Sequence, residues 1–143
     1  MNTLVDTSVW SLALRRQPRD LTAIEQSVVR ELADLTREGR ARMIGLIRQE
    51  LLSGIRLPAQ YERLRAALRA FPDEPMDTSD YEAAAMATNG CRAKGMAASV
   101  VDALICQVAL SRQWSIFTTD PDFKNYAKVL PIKLHAPSPT SHR

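Results

Sequence analysis

The fold of this chain is decided by residues 3–14, TLVDTSVWSLAL. The first three of them, Thr3 to Val5, predict a short buried β-strand. The apolar residues that follow Ser8 recur at helical spacing and predict a helix that runs to Arg15-Arg16; they are Val9, Trp10, Leu12 and Leu14. Asp6 is therefore expected at the point where a strand ends and a helix begins.

The alternation of strand and helix continues along the rest of the chain, without an internal repeat or a long linker. Further strands are expected at Ala41–Gly45, Ser115–Thr118 and Val129–Leu134. Helices are expected from Asp20 or Thr22 to Gly39, at Leu46–Ile55, from Pro58 to Phe71, from Ser79 or Asp80 to Lys94, from Ser99 onwards and just after Asp122. Strands separated by helices need crossover connections and therefore pair in parallel. The sequence predicts an α/β fold with three layers, α/β/α, around a mainly parallel central sheet of about 4–5 strands.

Length and composition indicate an ordinary globular protein. The 143 residues suit one domain, expected over residues 1–135, and residues 136–143 are expected to form a disordered tail. No apolar run approaches the roughly 20 residues of a membrane helix, and the N-terminus lacks the pattern of a secretory signal, so a cytoplasmic location is expected. Cys91 and Cys106 match no zinc or redox spacing and are expected to be buried, reduced thiols.

Four acidic residues from four separate elements are candidates for one shared site. Asp6 and Asp120 each follow directly on a predicted strand, where open parallel sheets form their binding sites. Glu50 and Asp102 lie on helices that could pass the same edge. Carboxylates brought together in this way repel one another unless a cation neutralises them, and oxygen ligands alone favour Mg²⁺ or Mn²⁺.

Each acid also has a simpler interpretation when it is taken alone. Asp6 could cap the helix that follows it, and Asp102 could be a first-turn acid favoured by the helix dipole. Glu50 could face solvent, and Asp122 could belong to a turn or cap. The hydroxyls of Thr7, Ser8 and Thr118 could fix carboxylate rotamers, although helix capping explains Ser8 equally well.

The net charge of +3 is by itself weak evidence for a nucleic-acid partner. Its distribution is more informative. If the four acids and Asp122 converge, the 19 basic residues face 11 remaining acidic ones, which leaves +8 elsewhere. This predicts an acidic pocket within a basic surface.

Four short motifs, in this order and spacing, resemble those of the PIN-domain ribonucleases, and more narrowly the VapC toxins of the VapBC toxin–antitoxin systems. They are DTSVW at 6–10, RQELLSG at 48–54, DALICQVA at 102–109 and TTDPDF at 118–123. The resemblance covers about residues 2–134. It implies a PIN-like fold and a Mg²⁺- or Mn²⁺-dependent endoribonuclease acting on single-stranded or structured RNA, whether tRNA, rRNA or mRNA. It also implies a homodimer and a cognate VapB-like antitoxin that inhibits it.

The family's acidic positions carry over to Asp6, Glu50, Asp102 and Asp120 as catalytic residues, with Asp6 and Asp102 as the main metal ligands. The last motif also contains Asp122; Asp120 is preferred because it directly follows the strand. Two other interpretations stay open at this point, namely a non-catalytic RNA-binding or regulatory PIN-like module and a phosphatase that uses Asp6 as nucleophile. Several arginines could contact RNA or could simply be solvated: Arg15, Arg16, Arg40, Arg42 and Arg48.

Overall fold

In the computed structural model, which describes residues 1–137, three short parallel strands form the centre of the molecule. The strands are β1 (Thr3–Val5), β2 (Ala41–Arg42) and β3 (Ser115–Phe117). The helices are α1 (Thr7–Leu14), α2 (Ala23–Arg37), α3 (Gly45–Leu52), α4 (Pro58–Leu68), α5 (Thr78–Ala93), α6 (Val100–Arg112) and α7 (Asp122–Tyr126), with a 3₁₀ turn at Pro18–Asp20. Every crossover between strands is helical, as parallel pairing requires.

The sheet has the order β2-β1-β3, so the first strand of the chain is the middle strand. Thr3 pairs with Ala41 on one side and with Ser115 on the other. The strand order therefore reverses at β1, and the chain segments that leave β1 and β3 lie side by side at the carboxyl end of the sheet. In open α/β sheets this is where binding sites form.

Helices cover both faces of the sheet and confirm the predicted α/β/α fold class. Helix α6 packs on β1 and β3 and pairs with α5, whereas α2 packs on β2 and joins α1, which in turn contacts α3. Trp10 lies in the core with 2% of its surface exposed, and its Nε1–H donates to the Val5 carbonyl at 3.0 Å. Its ring meets Phe71 edge-on at 4.7 Å, and Trp10 thereby joins α1 to the segment that follows α4.

The sheet has fewer strands within residues 1–137 than the 4–5 that the sequence predicts. The expected strand at Val129–Leu134 is reduced to one bridge, Ile116 to Leu134, held by backbone hydrogen bonds from Ile116 to Lys133 and from His135 to Ile116. Pro131 interrupts that segment, because proline has no N–H to donate to a ladder. The expected strand at Ala41–Gly45 ends at Arg42, apart from a bridge between Met43 and Asp73.

Helix starts follow the capping residues. Thr22 caps α2 in a reciprocal capping box with Glu25, which decides between the two residues proposed from the sequence. Helix α5 begins earlier than expected, because the Asp77 side chain caps it by accepting the N–H groups of Ser79 and Asp80. Residues 138–143, most of the tail predicted to be disordered, lie outside the described range.

Candidate metal centre

Asp6 is positioned by the end of β1 and the start of α1. It occupies the N-cap position of α1, yet its side chain makes no capping hydrogen bond. Its Oδ2 instead accepts hydrogen bonds from the hydroxyls of Ser8 and Thr118, both at 2.9 Å. Only 6% of Asp6 is exposed. The carboxylate is thus held by hydroxyls from two elements, and the interpretation of Asp6 as a simple helix cap does not fit.

The same two hydroxyls tie the end of β3 to α1. Thr118 Oγ1 accepts the Asp120 N–H at 3.0 Å, and Ser8 Oγ accepts the Thr119 N–H at 3.0 Å. The Asp6 N–H donates to the Phe117 carbonyl at 2.9 Å, which closes the junction. This hydrogen-bonded network orders the segment that carries Asp120.

Asp102 enters from the first turn of α6, which is capped by Ser99: the Ser99 hydroxyl accepts the Asp102 N–H at 3.0 Å. Burial raises the pKa of the Asp102 carboxyl, and the charges of Asp6 and Asp120 raise this pKa further. The hydroxyl of Tyr126 opposes them by donating to Asp102 Oδ2 at 2.7 Å. Asp102 is therefore a carboxylate that is costly to keep charged without a nearby cation.

Tyr126 is a site residue that the sequence analysis missed. It is buried in α7, with Phe123 packed edge-on against its ring at 5.2 Å. Its own pKa is raised, first by burial and then by its hydrogen bond to Asp102. The one signal available from the sequence is its position one helical turn after Asp122, which places it on the same face of a short helix.

The closest group of acids contains Asp102, Asp120 and Asp122. Each offers an oxygen within 4.8 Å of the others, among the residues that the structure describes. Asp122 is the first residue of α7, and its N–H donates to Asp120 Oδ1 at 2.9 Å. The two aspartates of the last motif thus lie together, and each has an oxygen within 4.8 Å of an Asp102 oxygen.

Glu50 lies outside the 4.8 Å cluster. It is exposed on α3, and the hydroxyl of Thr7 donates to its Oε1 at 3.1 Å. Because Thr7 follows Asp6 in the chain, Glu50 borders the site from the α3 side. The structure therefore brings Asp102 and Asp120 together, with Asp6 close enough for its charge to raise the pKa of Asp102, whereas Glu50 is linked to the site through Thr7.

The donors of this site fit a hard divalent cation. Carboxylate oxygens are the ligands that Mg²⁺ and Mn²⁺ prefer. Seven acidic residues elsewhere in the described chain form ion pairs with arginine or histidine side chains, and none of the five acids around the site does. The negative charge of the site is therefore not neutralised by any basic side chain of the described residues.

Two of the arginines considered for RNA contact instead stabilise the fold. Arg40 pairs with Glu38 at 2.8 Å and donates to the Met1 carbonyl. Arg48 pairs with Asp73 at 2.9 Å and caps the end of α4 through backbone carbonyls. Both guanidinium groups therefore have partners within the chain, which favours a structural role for them.

The two cysteines are buried and unpaired, as predicted. Burial, with smaller contributions from nearby charges, raises the pKa of Cys106 to about 12 and makes its thiolate unavailable at neutral pH. Within residues 1–137, no helix combines the length and apolar character needed to cross a bilayer.

Comparison with known proteins gives the same fold. The crystal structure of FitAcB from Neisseria gonorrhoeae is similar, with a TM-score of 0.74 and 21% identity over 94% of this chain and 97% of that one. VapBC2 from Rickettsia felis, bound to a DNA fragment from their promoter, has a TM-score of 0.73 and 15% identity over 94% and 98% of the two chains. VapBC-1 from nontypeable Haemophilus influenzae has a TM-score of 0.68 and 13% identity, covering 94% and 97%.

No curated protein matches the chain significantly in sequence. The family model described as "PIN domain" matches residues 3–129, which include all the acids of the candidate site and the three strands of the described sheet. The chain belongs to the PIN domain family.

Proposed function

We propose that this chain is a Mg²⁺- or Mn²⁺-dependent endoribonuclease and the toxin component of a type II toxin–antitoxin system of the VapC kind. The observation that carries the proposal is the cluster of Asp102, Asp120 and Asp122 oxygens within 4.8 Å, with Asp6 beside it, in a PIN domain. Such a concentration of carboxylates in one place is costly without a metal ion.

Asp6 and Asp102 are the proposed main ligands, and Asp120 with Asp122 would complete the shell. A bound Mg²⁺ or Mn²⁺ supplies charge that stabilises the transition state of phosphodiester hydrolysis and lowers the pKa of water. Ser8 and Thr118 hold the Asp6 carboxylate through Oδ2, so its orientation does not depend on the ion. Preorganised ligands of this kind keep a site in its active geometry.

Glu50 is the proposed general base or water-orienting residue. It lies outside the closest acid cluster, where a carboxylate can accept a proton instead of binding the cation. The hydroxyl of Thr7 donates to Oε1 and would hold this carboxylate in one orientation next to Asp6. Asp120 is the alternative for this role, since the Asp122 N–H already holds one of its oxygens.

Partners follow from the same proposal. FitAcB and the two VapBC structures resemble the chain along nearly its whole length, which supports a VapB-like antitoxin as partner. A cytoplasmic homodimer that cleaves tRNA, rRNA or mRNA is the form we propose for the active protein. Co-expression with the small protein encoded next to it should give a stable complex in which RNA cleavage is inhibited.

Cleavage of labelled RNA by the purified chain tests the proposal directly. We expect fragments with Mn²⁺ or Mg²⁺ and none in EDTA, and sequencing of their 5′ ends would identify the target. Asp102→Asn should lower the rate by at least ~100-fold, because substituting a residue that only supports a metal ligand already costs up to about 100-fold. Glu82→Gln, an exposed acid on α5, is the matched control and should cleave like the wild type.

Each result decides between alternatives. Cleavage that persists in EDTA would contradict metal dependence, and full activity of Asp102→Asn would contradict the assigned site. RNA binding without cleavage in either metal would support the non-catalytic PIN-like module. A phosphatase that uses Asp6 as nucleophile would carry an aspartyl-phosphate, which mass spectrometry would detect. The chain lacks the second aspartate that such an enzyme has two residues later, and Ser8 stands there.

A further inference from the structure

A groove of about 600 Å³ opens where the end of α1 meets the α3–α4 connection, away from the acid cluster. Its lining includes four exposed arginines, two glutamines and no acidic residue. The arginines are Arg15, Arg16, Arg56 and Arg63. Apolar residues such as Leu57 and Leu64 also line it, so the groove combines cationic groups with an apolar surface.

The charge of these arginines is not neutralised by the protein itself. Within residues 1–137, no side chain forms an ion pair with any of the four, whereas other arginines of the chain, such as Arg65 and Arg112, have carboxylate partners. Four unpaired guanidinium groups around one groove repel one another and attract anions. Guanidinium groups bind carboxylate and phosphate oxygens alike with two parallel hydrogen bonds, and the position of the groove near a proposed nuclease site favours the phosphates of a nucleic acid.

The groove is connected to the candidate metal centre by two helices. Helix α1 begins next to Asp6 and ends in the groove, and eight helical residues span about 12 Å. Helix α3 carries Glu50, and Gly54, one helical turn later in the chain, lines the groove. The groove therefore begins about 12 Å from Asp6 along α1, close enough for one bound strand to contact both.

We propose that this arginine groove binds the phosphate backbone of the RNA strand beside the cleaved bond, and so positions the strand for hydrolysis. The inference rests on the proposed ribonuclease function and names residues that hold its substrate. The arginines bind phosphates without reading bases, since backbone contacts position a nucleic acid but do not specify its sequence. The aliphatic residues between them, such as Leu57 and Ile55, offer an apolar contact surface for sugars or bases.

Fluorescence polarisation of a short labelled RNA of mixed sequence tests the proposal in EDTA, where no cleavage is expected. The variants are Arg15→Gln/Arg16→Gln, Arg56→Gln/Arg63→Gln and all four together. We expect Kd to rise by about fivefold for each arginine that is replaced, because this factor corresponds to the upper end of the free energy that an exposed ion pair contributes. The slope of log K against log salt should fall by ~0.7 for each phosphate contact that is lost from a single strand.

Arg69→Gln/Arg92→Gln is the matched control, because it removes the same charge from two exposed arginines outside the groove. In this control the slope of log K against log salt should match that of the wild type, and Kd should change by less than about twofold. Equal losses of RNA affinity in the control and in the groove variants would show that binding depends on net charge alone, and would overturn the proposal. Unchanged RNA affinity in the quadruple variant would overturn it as well.

Two further measurements separate the possible ligands and functions. Poly-L-glutamate of matched length tests whether the groove prefers RNA. If its binding falls as much as that of RNA in the groove variants, an acidic protein segment is an equal ligand and the assignment to RNA is wrong. Metal-dependent cleavage by the wild type is measured separately. If the wild type does not cleave RNA but its RNA binding still depends on the groove, the proposed nuclease function is wrong and the groove is still an RNA-binding site.

Discussion

Replacing Asp102 by asparagine is expected to make the metal-free protein more stable and to abolish its response to metal. Burial raises the pKa of this carboxyl, and the charges of Asp6 and Asp120 raise it further. The folded protein therefore holds a charge here that an amide of the same shape would not carry. The asparagine oxygen can still accept the hydroxyl hydrogen of Tyr126, so we expect the local structure to persist.

The distance between the carboxylates sets the size of the effect. Oxygens of Asp102 and Asp120 lie within 4.8 Å, where two unit charges repel by roughly 0.9 kcal/mol in bulk water and by about 3.5 kcal/mol at an effective dielectric constant of about 20. The site borders solvent, so the lower value applies, and desolvation of Asp102 adds to it. Losing the attraction between Asp102 and the N-terminus of α6 subtracts about 0.3–1 kcal/mol. We expect a net gain of about 1 kcal/mol, or ~3 °C in Tm.

The dependence of this gain on pH has a definite sign. The pKa of Asp102 is raised in the folded state, whereas the unfolded chain keeps the ordinary value of 3.8. The folded wild type therefore binds this proton more tightly than the unfolded chain does. The advantage of the variant is complete above the folded-state pKa and shrinks as the pH falls between the two values. It is absent below 3.8.

Urea unfolding of the wild type, Asp102→Asn and the control Glu82→Gln, each in EDTA and in Mn²⁺, measures both effects. Mn²⁺ at 100 times its Kd should stabilise the wild type and the control by about 2.7 kcal/mol. Asp102→Asn should be the most stable of the three in EDTA and should gain little from Mn²⁺. If this variant is less stable than the wild type in EDTA, or gains as much from Mn²⁺, the reasoning is refuted.

Three further substitutions test the surroundings of the site and the stability of the fold. Tyr126→Phe removes the donor to Asp102 Oδ2, and Mn²⁺ affinity measured by calorimetry should fall by about fivefold, since such a bond contributes ~1 kcal/mol. Thr118→Val breaks the hydrogen bonds to Asp6 and Asp120 and should slow RNA cleavage by about tenfold, with circular dichroism unchanged. Arg112→Met leaves Asp80, which is 8% exposed, without its cation, and should lower the free energy of unfolding in urea by about 3 kcal/mol.

The general position of the candidate site could be predicted from the sequence because it depends on short-range patterns. Residues 3–5 have the character of a buried strand, and helical spacing begins directly afterwards, so Asp6 had to lie at a strand end. The same argument placed Asp120 just beyond β3. Parallel pairing then brings the two chain segments to one edge, and this step needs only the rule that crossovers are helical.

Other parts of the site depend on long-range packing that no local pattern encodes. Asp122 lies beside Asp102 because the chain turns at Pro121 into α7, and the same turn brings the Tyr126 hydroxyl to Asp102. The number of strands was overestimated for a different, local reason. Apolar residues at 129–134 indicate a strand, but Pro131 limits the contact to a bridge at Leu134.

The chemistry of the donors around the site explains why its charge is still available to a ligand. Asp6 is held by the hydroxyls of Ser8 and Thr118, and Asp102 is held by that of Tyr126. Within residues 1–137 no lysine, arginine or histidine pairs with these two carboxylates, although the chain carries 19 basic residues. An arginine in the place of Tyr126 would orient Asp102 equally well but would also neutralise it, and a cation would then gain little by binding. Neutral donors fix the geometry and leave the negative charge in place, and this is what the proposed metal site needs in order to attract a cation.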